Sequence, residues 1–279
     1  MTVEAIARAD NRAASDRATD AEGEAVASPD LDDLRLGIVG AGKLGTAIAR
    51  SAVAAGYDVA ISGSGPVDDI ALTVDVLAPG ARAVTTEEAV RDANIIVLAV
   101  PTHRFRELPR DLFDGKILID VMNYWEPVDG LDDELAGAAE GTSVVVQERF
   151  PSARVVKSLN QLGYHEVEEH RRPRGAADRI AIGAAGDDPA AVRTVMRLID
   201  RLGFDPVDAG PLENGLALEP DGSPFAVTYS AAELADLISR PRTDEFGSPR
   251  PFDVVKSDEH RTLSHPGAAP PARRRPGRC

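Results

Sequence analysis

Leu36-Gly37-Ile38-Val39-Gly40-Ala41-Gly42-Lys43-Leu44-Gly45 is a short apolar run followed at once by a G-x-G-x-x-G. A helical pattern comes next, with Leu44, Ala47, Ile48 and Ala54 on one face and Gly56 at its end. Three glycines alone say little. Between a strand and a helix, at the first strand of an alternating unit, they say much more. There the first glycine permits a tight turn, the second lets the backbone approach a pyrophosphate, and the third lets helix and strand pack closely. The helix start adds free N–H donors and the positive end of its dipole, both suited to an anion. The stretch reads as a dinucleotide phosphate cradle made of Gly40, Ala41, Gly42, Lys43, Leu44 and Gly45. A glycine-rich turn without a ligand is the blander alternative, and this context disfavours it.

The flanking pattern alternates in the same way. Residues 57–61 read as a second strand, 68–76 as a helix, 83–84 as a short strand and 86–92 as a helix. Asn94-Ile95-Ile96-Val97-Leu98-Ala99-Val100 has the continuous β-branched and apolar character of a strand buried on both faces. Residues 116–121 are a fifth strand. A helix is expected over 142–150, strands over 154–157 and 179–182, and an amphipathic helix over 189–202 closed by Gly203. Residues 205–208 suit an edge strand, since Pro206 is tolerated there. Strands spaced by helices of these lengths imply parallel pairing with right-handed crossovers. The expected fold is α/β: a Rossmann-type doubly wound parallel sheet with a small α/β C-terminal cap domain.

Composition sets the limits. The chain has 279 residues, 31 Lys plus Arg, 46 Asp plus Glu, a formal net charge of −15 and 43% hydrophobic residues. That apolar share is enough for a core, so wholesale disorder is excluded. The charge is uneven. Residues 1–33 carry a net −6 with no aromatic side chain and are expected to be a disordered acidic segment. Residues 240–279 carry a net +4 and seven prolines, a disordered Pro/Arg-rich tail. Between them we expect a dinucleotide-binding domain over 34–150 and a small α/β domain over 151–239. So negative a chain is a poor partner for nucleic acid, whose binding draws on clustered Lys and Arg. No apolar run reaches the roughly 18–20 residues that span a bilayer. With no signal-peptide pattern at its start, the chain is expected to be cytoplasmic. The single cysteine, Cys279, allows no internal disulfide and no Cys-based metal site.

The end of the second strand bears on the choice of dinucleotide. An NAD site places an acid there for the ribose 2′-hydroxyl. Here the stretch is Ser62-Gly63-Ser64-Gly65-Pro66, with no acid before Asp68. A 2′-phosphate is therefore admitted, to be met by the serine hydroxyls and loop amides with help from Lys43 or Arg82. NADP(H) is the expected cofactor. His103 follows the fourth strand, at the end of the sheet where ligands sit in such folds. Tyr124 and Trp125 read equally as an aromatic wall for a planar ligand and as packing groups. His165 and His170 are five apart, about 140° around a helix, so a charged loop is favoured over a metal site. Arg171, Arg172 and Arg174 read as a solvated loop more readily than as a phosphate grip. No metal is expected, and no acid–base pair stands out, so the catalytic residues stay unassigned.

Five segments carry a family likeness. Gly37–Gly45, Ala99-Val100-Pro101-Thr102-His103, Gly115–Asn123, Val155–Asn160 and Asp208–Asn214 come in that order. Together they resemble the NADP oxidoreductases that use coenzyme F-420, a deazaflavin, and their dinucleotide-binding relatives, over about 36–220. The resemblance implies hydride transfer between NADPH and the deazaflavin in a cleft between the two domains. It implies that Ser62, Gly63 and Ser64 lie at the adenosine 2′-phosphate and that Val100, Pro101, Thr102 and His103 lie near the cofactor. It also places Asn123 beside the nicotinamide and Asn160 on the facing wall, with Tyr124 and Trp125 on the substrate side. Two departures stand out: Ser64 replaces the Arg common in the family, and residues 122–130 replace a short Ser-Asn-Pro turn. Coenzyme F-420 or a flavin is the candidate second substrate. A non-catalytic NAD(P) sensor and an NADP-dependent dehydrogenase of a small hydroxyacid or imine stay open. The partners expected are small-molecule cofactors, with neither nucleic acid nor membrane; a homodimer also stays open.

Overall fold

The computed structural model describes residues 35–220, 222, 225 and 227–240. The acidic segment 1–33 and the tail beyond 240 lie outside them. The first half runs β1 (Arg35–Val39), α1 (Lys43–Ala54), β2 (Asp58–Ser62), α2 (Val67–Leu77), β3 (Arg82–Ala83), α3 (Thr86–Arg91), β4 (Ile95–Leu98) and β5 (Ile117–Asp120). Short helices α4 (Glu126–Asp129) and α5 (Asp133–Ala136) lead to α6 (Thr142–Arg149), β6 (Arg154–Ser158) and the one-turn α7 (Glu166–Glu169). The chain then forms β7 (Ala181–Ala185), α8 (Pro189–Leu202), β8 (Asp205–Gly210) and α9 (Ala231–Ser239). Two 3-10 segments, Thr102–Glu107 and Leu212–Leu218, follow β4 and β8.

All eight strands join one sheet in the order β3-β2-β1-β4-β5-β6-β7-β8. The first six are parallel in the doubly wound order, which reverses between β1 and β4. β7 then turns antiparallel to β6, and β8 runs parallel to β7 at the edge, where Pro206 is accommodated. The 150/151 boundary read from sequence thus falls before a strand that pairs directly with β5. The C-terminal segment continues the Rossmann sheet.

Alternation along the central strands builds two cores, one per face. Ile95, Val97, Ile117 and Ile119 face α1 and α8, packing with Ile48, Ala52, Leu198 and Ile199. Ile96, Leu98 and Leu118 face the other way, toward Val90, Val146 and three phenylalanines. Phe113 and Phe105 meet Phe150 edge-to-face at 4.8 and 6.4 Å. No helix among the described residues is long and apolar enough to cross a membrane.

Candidate functional site

The parallel strands bring their C-terminal ends to one edge, and the glycine loop leaves β1 there. Gly40 adopts a φ of 121°, and its N–H donates to the Ser62 carbonyl at 2.9 Å. A Cβ at Gly40 would lie 2.2 Å from the Ala99 carbonyl oxygen, and one at Gly45 would lie 1.9 Å from the Gly40 carbonyl oxygen. These two glycines are therefore required by the chain itself. Gly42 is different. It caps α1 in an ordinary extended conformation, and a Cβ there would meet nothing within 4 Å. Its bareness leaves exposed space in front of the helix.

That helix start has no acceptor of its own. Gly42 offers no side-chain cap, and the first turn of α1 holds no acid. Of the other described helices of eight residues or more, α2, α8 and α9 have one or the other, and α6 is capped by a side chain from elsewhere in the chain. Asp188 caps α8, Ser230 caps α9, and Asp68 with Asp69 lies in the first turn of α2. At α6 the Glu219 carboxylate accepts from the Thr142 N–H at 2.9 Å. Open space in front of uncapped amides fits the pyrophosphate of a dinucleotide.

The loop after β2 differs from the sequence expectation. Ser62 is fully buried: its hydroxyl donates to the Ile38 carbonyl at 3.4 Å and accepts from the Thr86 hydroxyl at 3.1 Å. It ties β1, β2 and α3 together and does not face the loop's outer side. Ser64 is exposed. Arg82 pairs with Asp58 at 3.3 Å, and Asp58 starts β2, so that guanidinium is drawn to the strand end opposite Ser62. The Lys43 ammonium stands 5.2 Å from the centre of the Tyr164 ring. It thereby links the glycine loop to the segment after β6.

Beyond β4, Val100 is half-buried, Pro101 and His103 are exposed, and Thr102 is buried with its hydroxyl unpartnered. The structure brings Asn123 and Asn160 together. The Asn123 amide donates to the Asn160 carbonyl at 2.8 Å, and the Asn160 amide donates to Asn123 Oδ1 at 2.9 Å and to the Leu218 carbonyl at 2.7 Å. Asn160 is 1% exposed, so it lies beneath the wall and does not form its surface. Both of its amide protons meet oxygens, which sets the flip and leaves Oδ1 unpartnered. Next to it, Leu159 holds a φ of 59°, a strained conformation for a branched side chain. The Tyr124 hydroxyl donates to the Gly130 carbonyl and accepts from the Asp132 N–H, both at 3.1 Å. It is thus committed to holding its own loop. Trp125 is 59% exposed.

Sequence reasoning missed a buried ion pair. Asp120 and Lys157 face each other in the β5–β6 register, with their charged groups 3.4 Å apart and no exposed surface. A signal was present: each lies at the fourth position of its strand, directly after apolar residues, with opposite charge. The histidine segment and the arginine loop are taken up elsewhere. Arg50 hydrogen-bonds Glu168 and holds its carboxyl below the usual range. Arg172 pairs with Asp178 at 2.6 Å, Arg174 with Asp200, and Arg171 donates to the Leu202 carbonyl. A hollow of about 310 Å³ lies between Arg171–Arg174 and Asp200–Gly203, and no glycine-loop residue lines it. Among the described residues, no group of three or more His, Cys, Asp or Glu is placed to hold a metal.

Residues 35–124 match the family described as NADP oxidoreductase, coenzyme F420-dependent. The matched segment, about a third of the chain, contains the whole glycine loop and ends just past Asn123. Over a longer span the chain is 27% identical to the metalloreductase STEAP3 of Rattus norvegicus, across 207 residues. That match takes in 74% of this chain but 39% of the relative's length. The structure is similar to that of the hypothetical protein SMa0349 of Sinorhizobium meliloti, at a TM-score of 0.62 and 27% identity. The match covers 71% of this chain and 95% of the other. It shares its fold with a protein provisionally named an F420-dependent NADP reductase, from Arthrobacter sp. FB24. There the TM-score is 0.53 and the identity 22%, over 64% of this chain and 86% of the other.

Proposed function

We propose that the chain is an oxidoreductase that moves a hydride between NADP(H) and a deazaflavin of the coenzyme F-420 type or a flavin-like acceptor. The start of α1 carries this reading, with its amides uncapped and open space at Gly42. The F420-oxidoreductase family match over the same residues supports it. Gly42, Lys43 and Leu44 would hold the pyrophosphate through backbone N–H groups, which need no basic surface. Ser64 and the loop amides, with no carboxylate before Asp68, support acceptance of a 2′-phosphate. Asn123, held by Asn160, would border the nicotinamide, and the exposed Trp125 ring offers a face to a planar acceptor. When bound, the dinucleotide supplies the hydride. The protein's part is to stack and align two rings and to exclude water, for which no acid–base pair is required.

Titration with NADPH and NADH, followed by turnover with F-420, flavins and 2-keto acids, tests the proposal. NADPH is expected to bind more tightly than NADH and to be oxidised with F-420 or a flavin. A preference for NADH would overturn the NADP assignment. Tight NADPH binding without turnover by any acceptor would point to a sensor, and oxidation by 2-keto acids alone to a dehydrogenase.

A further inference from the structure

The Lys157–Asp120 pair lies just beneath the proposed nicotinamide end, and its contacts converge on one residue. Asp120 Oδ1 accepts from the Met122 N–H at 2.9 Å, while the Lys157 ammonium donates to the Met122 carbonyl at 2.6 Å. Both main-chain polar groups of Met122 are thus held by the two members of one ion pair. The Ser143 hydroxyl steadies the carboxylate by donating to Asp120 Oδ2 at 2.6 Å. Gly215 closes the Lys157 stem from outside, since a Cβ there would come within 2.8 Å of the lysine Cβ. The next residue is Asn123, whose side chain is clasped to Asn160.

Burying such a pair carries a desolvation cost, and apolar residues of the same volume often serve stability as well or better. Apolar residues could not grip the N–H and the carbonyl on the two sides of Met122. With no exposed surface, Lys157 is shut off from the site, which favours a structural hold over direct proton transfer. We propose that Lys157 and Asp120 are positioning residues. They hold the turn at Met122 and thereby set the Asn123–Asn160 clasp at the nicotinamide end of the site. This inference rests on the dinucleotide reading above.

The test compares NADPH with 2′-phospho-ADP-ribose, which keeps the pyrophosphate and 2′-phosphate but has no nicotinamide. Lys157→Met combined with Asp120→Asn removes both charges together, so neither is left buried alone. In that variant NADPH affinity is expected to fall about tenfold, while that of 2′-phospho-ADP-ribose stays unchanged. Ser143→Ala keeps both charges and loses one hydrogen bond; it should show the same selectivity at about threefold, and it decides the matter if the double variant does not fold. Equal losses for both ligands would mark a merely structural pair and overturn the assignment, as would unchanged NADPH affinity in both variants. A wild-type protein that binds neither NADPH nor 2′-phospho-ADP-ribose would instead overturn the dinucleotide reading, and the assignment would fall with it.

Discussion

Helices α1 and α8 pack on the same face of the sheet, yet their first turns are built on opposite terms. At α8, Asp188 Oδ1 accepts from the Ala190 and Ala191 N–H groups at 2.8 and 3.0 Å. Pro189 opens the helix where its missing N–H costs nothing, and Gly203, at φ 105°, closes it in the left-handed conformation. Every local choice serves the helix. At α1 the capping position carries a bare glycine, and the Thr46 hydroxyl turns back to the Gly42 and Lys43 carbonyls, at 2.9 and 3.2 Å, without reaching an amide. The amides stay uncapped, as the proposed dinucleotide site requires. Departure from local consistency marks the proposed site, and consistency marks the scaffold.

Substitution can exchange the two conditions. Gly42→Asp gives α1 the kind of cap that α8 has, in a backbone conformation that suits any residue and with free space for the side chain. Stability should hold or rise by a few tenths of a kcal/mol, roughly, by thermal melting. NADPH affinity should fall at least about 100-fold, because a fixed carboxylate would occupy and repel at the pyrophosphate position. Retained NADPH binding would break the comparison outright. Gly45→Ala is the contrasting case within the same loop. Its Cβ would collide with the Gly40 carbonyl, so stability and binding should drop together, by about 2–3 kcal/mol in denaturant unfolding. The mirror experiment, Asp188→Ala, removes the cap of α8 and should cost about 1 kcal/mol with NADPH affinity unchanged. Weakened NADPH binding there would mean that α8 is not mere scaffold.

The same contrast explains what could be read in advance. The strands from β1 to β8 and the stop at Gly203 announce themselves through alternation, β-branched runs and a glycine where the chain must turn left-handed. The glycine loop was legible because Gly45 packs on the Gly40 carbonyl a few residues away, whereas the Ala99 carbonyl that demands a glycine at 40 lies beyond β4. The antiparallel turn from β6 to β7 was not, since nothing local in Ala181–Ala185 states which way a buried apolar strand runs. The inward turn of Ser62 depends on Thr86, which lies 24 residues on, and Arg82 was placed by Asp58 on a neighbouring strand. The Asp120–Lys157 pair joins residues 37 apart and exists only once the β5–β6 register is set. Local chemistry shows in the sequence, whereas charge pairing across strands needs the sheet.

The smallest expected effect concerns the cation at the α1 start. Lys43 is held 5.2 Å from the Tyr164 ring, a contact worth about 0.5–1 kcal/mol where the ring is partly exposed, as it is here. If the dinucleotide phosphates draw on the Lys43 ammonium, the ring competes with them for it. Tyr164→Leu should then strengthen NADPH binding by roughly two- to fivefold at low salt, with the gain shrinking as salt screens the ammonium. The stability loss should stay under about 1 kcal/mol. The gain should vanish when Lys43→Met is combined with it, since no cation is then left to release. Weaker binding in Tyr164→Leu would show instead that the ring is itself part of the ligand's surroundings. In that case the segment after β6 would belong with the glycine loop as site, and the line between site and scaffold would have to be drawn further from α1.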